Sequence, residues 1–105
     1  KNLAQLRPDA QALTDLYTVP SDTSTVISSV VVCNISSSTA TFRLLHAVGG
    51  APSEDKQYLY YDERIPPYKS FATTLGITLG QNDKLRALSS NGRVSFNVYG
   101  SEITP

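Results

Sequence analysis

The chain has no Met, no Trp, one Cys and one His among its 105 residues, and each scarcity removes a class of function. One Cys makes no internal disulfide, and one Cys with one His cannot complete a Cys/His zinc site. Lys plus Arg number 9 and Asp plus Glu number 9, so the formal net charge is zero. A neutral chain lacks the electrostatic footprint that nucleic-acid binding needs. Charged residues make up 17%, below the roughly 25% of an average soluble domain. No apolar run approaches the ~18 residues of a membrane span, and no stretch reads as the h-region of a signal peptide. With no Met at all, the initiator is expected to be removed or to precede the first residue given. These absences point away from nucleic acid, membranes, metals and cofactors, and towards structure or binding more than catalysis.

What the chain does have is hydroxyl: Ser and Thr supply 23 of its residues. Its length is that of one domain. Residues 1–15 differ from the rest. Leu3 and Leu6 are apolar but Pro8 interrupts any helix, since proline lacks the backbone donor. This segment is expected to be an extended or partly helical N-terminal arm, with 16–105 forming the main domain. From Leu16 onward, β-branched and alternating segments predict about seven strands separated by turn signals: 16–19, 25–35, 41–48, 57–62, 70–79, 84–89 and 93–101. Val30-Val31-Val32-Cys33 reads as a central strand buried on both faces. Asn91-Gly92 predicts a type I′ hairpin, because both residues tolerate positive φ. Gly76 marks a bend, and Pro66-Pro67 cannot lie inside a ladder. The fold class is therefore all-β: an antiparallel β-sandwich, jelly-roll-like, with an extended N-terminal arm.

Candidate chemistry is sparse. His46 is the only candidate general base, but it shares a parity with Phe42, Leu44 and Val48, the apparent core face, and no Gly-x-Ser-x-Gly turn accompanies it. Cys33 lies in a valine run, where a thiol is inert. Asp62 and Glu63 are neighbours on a strand and point to opposite faces, so they do not make a glycosidase pair. Glu54-Asp55 lies in a loop without the spaced ligand ladder of a calcium site. No glycine loop is followed by the Lys and helix of a phosphate site, and the Asn34-Ile35-Ser36 sequon falls within a strand. No catalytic, metal or cofactor residue is expected, and the chain reads as a non-enzyme.

The six tyrosines carry more information. Tyr58 and Tyr60 are expected on one face of a strand and Tyr61 on the other, with Tyr17, Tyr68 and Tyr99 elsewhere. Tyrosine suits core packing, protein interfaces and sugar stacking alike, and all three uses stay open. The solvent faces carry Ser, Thr, Asn and Gln more than Lys and Glu. Such side chains need no charge partner when another chain covers them. The expected interface residues are Leu3, Leu6, Tyr58, Tyr60, Tyr61, Tyr68 and Tyr99.

Three stretches carry a resemblance: Leu16-Tyr17-Thr18-Val19-Pro20 with Val31-Val32-Cys33-Asn34 and Ala40-Thr41-Phe42-Arg43; Tyr58-Leu59-Tyr60-Tyr61-Asp62 with 71–79; and 94–102, from Val94 to Glu102. From about Leu13 on, the chain resembles the small all-β virion-associated structural proteins of tailed bacteriophages and prophages. The motifs are strand patterns, so they imply a part of a particle without naming which. Where that family leads one to expect an aliphatic residue, this chain has His46. The resemblance implies a virion location, with the major capsid protein or other virion proteins as partners. The first expectation is a capsid decoration or cement protein, forming a homo-oligomer (dimer or trimer). The alternatives are a small tail, neck or baseplate component, or a carbohydrate-binding module for host attachment.

Overall fold

Alternation of apolar and polar residues between turn signals marks most of the strands, and eight form, one more than expected. The computed structural model describes residues 1–104, so Pro105, the last residue of the expected main domain, lies outside them. The strands are β1 (Asn2–Leu6), β2 (Thr14–Thr18), β3 (Ser24–Asn34), β4 (Ala40–Ala47), β5 (Tyr58–Ile65), β6 (Ser70–Leu79), β7 (Lys84–Ser89) and β8 (Val94–Ile103). Two single-turn 3-10 segments, Val48–Gly50 and Asp55–Gln57, lie between β4 and β5, and no α-helix occurs among the described residues. The first sheet has the order β1-β8-β3-β6 and the second β2-β7-β4-β5. Every pairing of strands within them is antiparallel. The protein is an antiparallel β-sandwich. Only β4 and β5 form a hairpin; all other connections pass from one sheet to the other.

The inward parity of each strand makes the core. Ile27, Val30 and Val32 of β3, Val94, Phe96 and Val98 of β8, Phe42 and Leu44 of β4, and Leu85 and Ala87 of β7 are fully or almost fully buried. Phe42 sits at the centre. Its ring lies 5.6 Å from that of Phe71, 5.8 Å from Tyr60 and 5.8 Å from Phe96, the last edge-on, an arrangement the ring quadrupoles favour.

Several expectations change. The N-terminal segment is not a separate arm. β1 pairs along β8, Ala4 with Val98 and Leu6 with Phe96, which turns Leu3, Ala4 and Leu6 onto the core. Residues 7–12 are tied down as well: Arg7 donates to the Gly92 carbonyl at 2.7 Å and the Gln11 N–H to the Ser89 carbonyl at 2.8 Å. A boundary at 15/16 would cut through β2. Asn91-Gly92 does not close a hairpin, because β7 and β8 belong to different sheets. Only Gly92 takes positive φ (69°), while the Asn91 side chain accepts from the Arg93 N–H. In the valine run, Val30 and Val32 are buried but Val31 and Cys33 point outward and are half-exposed: β3 is central in its sheet, yet among the described residues no element covers that sheet's outer face. Val48 leaves the strand into a 3-10 turn and is exposed.

Candidate protein interface

The two outward faces of the sandwich differ in charge. The four strands of the first sheet contain one charged residue, Glu102. It turns away from the face, accepting a hydrogen bond from the Tyr17 hydroxyl of the other sheet at 2.6 Å. The register brings Asn2, Tyr99 and Ser29 into one outward row, Gln5, Asn97, Val31 and Ala72 into a second, and Ser95, Cys33 and Ser70 into a third. Within the strands this face carries hydroxyls, amides, small apolar groups, the Cys33 thiol and the Tyr99 ring, and the exposed Arg93 borders it just before β8.

The second sheet is the opposite. Its strands carry Asp15, Arg43, Asp62, Glu63, Arg64, Lys84 and Arg86. Asp15 accepts from Lys84 Nζ at 2.7 Å and from Arg86 Nε at 2.9 Å; the Lys84 bond is the chief reason its carboxyl lies below the ordinary 3.8. Part of this face is covered by the chain itself. Arg86 donates to the carbonyls of Gly50 and Ala51, pinning the β4–β5 connection, and Leu45 and Ala47 on the outward parity are fully buried.

Two bulges in β5 rearrange its tyrosines. Leu45 pairs with Tyr58 and Leu44 with Tyr60, leaving Leu59 as an extra residue; Phe42 pairs with Glu63, so Arg43 faces both Tyr61 and Asp62. Asp62 takes φ 53°. An extra residue flips the parity of every residue beyond it in the strand. Tyr58 and Tyr60 therefore do not share a face. Tyr60 turns inward against Phe42 and Phe71 and bonds Thr73 at 2.8 Å. Tyr58 instead joins Tyr61 on the outside, rings edge-on at 4.8 Å. The Arg43 guanidinium lies 4.0 Å from the centre of the Tyr61 ring and grips Asp62 through two bonds of 2.7 and 3.2 Å. That grip holds the Asp62 carboxyl below its ordinary value and raises the guanidinium.

His46 stands on the inward parity opposite Leu85, at the end of the core, with Nε2 2.9 Å from Asp83 Oδ2. Asp83 also accepts from the N–H groups of Gly49 (2.7 Å) and Gly80 (3.0 Å). Burial alone would raise its carboxyl, but these N–H groups and the imidazole outweigh it and lower the value. The His46–Asp83 contact thus stitches the β6–β7 turn to the end of β4. A cleft of about 350 Å³ opens beside it, lined by His46, Val48, Glu54 and Leu59 among others. Among the described residues, no three His, Cys, Asp or Glu side chains gather as metal ligands.

Of the expected interface residues, Leu3, Leu6 and Tyr60 are drawn onto the core. Tyr99 lies on the uncharged face, Tyr58 and Tyr61 on the charged one, and Tyr68, 70% exposed, in the turn before β6. They do not form one patch. Asn2, Gln5, Val31, Ser95 and Asn97 share a face that the sequence does not reveal, because the alternation of β8 is visible but not which strands flank it. No family model matches the chain, and neither a curated protein nor a solved structure is significantly similar to it.

Proposed function

We propose that the protein is a non-enzymatic structural protein of a phage particle: a decoration protein that docks on the assembled capsid through the uncharged outward face of its first sheet. The carrying observation is the charge asymmetry between the sheets. A face of hydroxyls, amides and small apolar groups can lose its water against another protein without stranding a charge. The strand order supports the reading too: 1-8-3-6 over 2-7-4-5, with one hairpin, fits the two-Greek-key winding of a jelly roll, an architecture found in viral capsid and lectin domains. A protein that binds the assembled lattice and not the free subunit stabilises the lattice by mass action. The test is to strip particles of the protein and add it back. Shells with wild type should regain heat resistance, while Val31→Lys and Asn97→Asp proteins, folded but charged on this face, should not. Shells equally stable with and without the protein would sink the proposal; a few copies per particle, in threes or sixes, would move it to the tail or neck.

The Tyr58–Tyr61 pair favours a second reading, carbohydrate binding for host attachment, since exposed aromatic rings stack on sugars. Arg43 already occupies one face of Tyr61. Tyr61→Ala should abolish glycan binding without unfolding if that reading holds, and a wild type that binds no glycan ends it.

A further inference from the structure

The four sheet edges are unequally protected. β1 and β2 are five residues each, and β2 carries Asp15. β5 carries Asp62, Glu63 and Arg64 and two bulges. Short length, charge and bulges are what keep an edge strand from pairing with another chain. β6 has ten residues, none charged and none proline. Its one irregularity lies opposite Ile27–Ser29, where Gly76 takes φ 60°. Residues 70–74 therefore offer a straight, uncharged edge.

The outward-facing groups are fixed by the ladder. The Asn34 N–H donates to the Lys69 carbonyl at 2.9 Å, and the register continues through Val32–Phe71 and Val30–Thr73. Bonding direction alternates along an antiparallel strand. Lys69, Phe71 and Thr73 thus face β3 with their backbone, and Ser70, Ala72 and Thr74 turn theirs to the open side. All three are exposed.

We infer that two copies of the chain pair here, β6 against β6, about a twofold axis at Ala72. Directly opposite residues share a face, so the register sets Ala72 against Ala72 and Ser70 against Thr74. Each pair exchanges two backbone bonds through groups that are otherwise unpaired by protein. A second copy fits this edge better than a foreign strand for three reasons. An uncharged strand meets itself without opposing like charges, and the residue on the axis is small. Pro66-Pro67 on one side and the Gly76 bulge on the other stop the ladder at the same length in both copies, so the contact closes as a dimer and does not propagate. The same register places exposed Tyr68 of each copy opposite Gly76 of the other. Finally, the edge is continuous with the uncharged face. One such face, four strands of five to eleven residues, measures roughly 600 Å², short of the ~800 Å² per partner of a stable interface; pairing joins two faces into one eight-stranded surface. The pairing does not rest on the capsid reading, because it is measured on the protein in solution.

Sedimentation equilibrium and amide exchange test it on the full chain. Wild type should be a dimer, with the Ser70, Ala72 and Thr74 amides exchanging slowly when concentrated and as fast as loop amides when dilute. Ala72→Lys sets two lysines on the axis, and Ala72→Pro removes its two donors; each should raise the dimer dissociation constant at least about tenfold while circular dichroism stays unchanged. Ala72→Lys is exposed on the monomer and keeps the test valid if the proline variant does not fold. A monomer at every concentration, a dimer that survives Ala72→Lys, or fast exchange of these three amides in a dimer would each overturn the inference; a monomer that captures added strand peptides would assign the edge to a foreign partner instead.

Discussion

The Tyr17 hydroxyl donates to Glu102 at 2.6 Å and shares a 2.9 Å bond with Thr25, joining β2 of one sheet to β8 and β3 of the other. Burial, then the adjacent carboxylate, pushes the Tyr17 phenol up to about 12 from its ordinary 10. A group whose value is raised on folding contributes stability that is whole below its unfolded value and is lost as pH rises through the folded one. Stability should therefore fall between pH 10 and about pH 12. Tyr17→Phe should cost about 1–2 kcal/mol at neutral pH, through the stranded Thr25 hydroxyl and the lost bonds, and should flatten that alkaline decline. Urea unfolding at several pH values measures both.

Asp83 has the opposite sign. Its carboxyl lies below 3.8 in the folded state, so its contribution is whole above that value and lost as pH falls through the lower folded one. Asp83→Ala leaves the N–H groups of Gly49 and Gly80 without their acceptor and should destabilise by about 2–3 kcal/mol. The variant should also lose less stability than wild type on acidification, which thermal melts from neutral to acid pH will show.

Phe42 touches three other rings at the centre of the core. Phe42→Ala should cost about 3–5 kcal/mol, a large part of the ~5–15 kcal/mol that holds a domain. Tyr99→Ala, on the outer face, should stay within about 0.5 kcal/mol. Denaturant midpoints of the two variants check the contrast.

Two glycines separate crowding from backbone strain. A Cβ at Gly100 would collide with the Val26 carbonyl, whereas one at Gly49 meets nothing, its only constraint being φ 65°. Gly100→Ala should cost about 2–3 kcal/mol, displacing β8 from β3, and Gly49→Ala about 1 kcal/mol. Equal losses in a melting experiment would contradict this assignment.

The strands were legible because period-two alternation is a local signal, and β8 shows how far it reaches: Val94, Phe96 and Val98 inward, Ser95, Asn97 and Tyr99 outward, as expected. It fails where one residue is added. The bulges of β5 separate Tyr58 from Tyr60 and join Tyr58 to Tyr61, and nothing in Tyr58-Leu59-Tyr60-Tyr61 announces an extra residue. The N-terminal strand was missed for another reason. Five residues before a proline carry little pattern, and β1 becomes a strand only because β8 offers it an edge.

The sequence by itself determined the class of the protein: hydroxyl-rich, scarcely charged, built of strands, with its one Cys and one His set among apolar residues. Composition and alternation are properties of the chain, and they survive any arrangement of it. Which strands are neighbours was decided only by the tertiary structure, since pairing joins residues as distant as Asn2 and Tyr99. That assembly placed seven of the eight charged strand residues on one sheet, left the strands of the other with Glu102 alone, and left β6 as its bare edge.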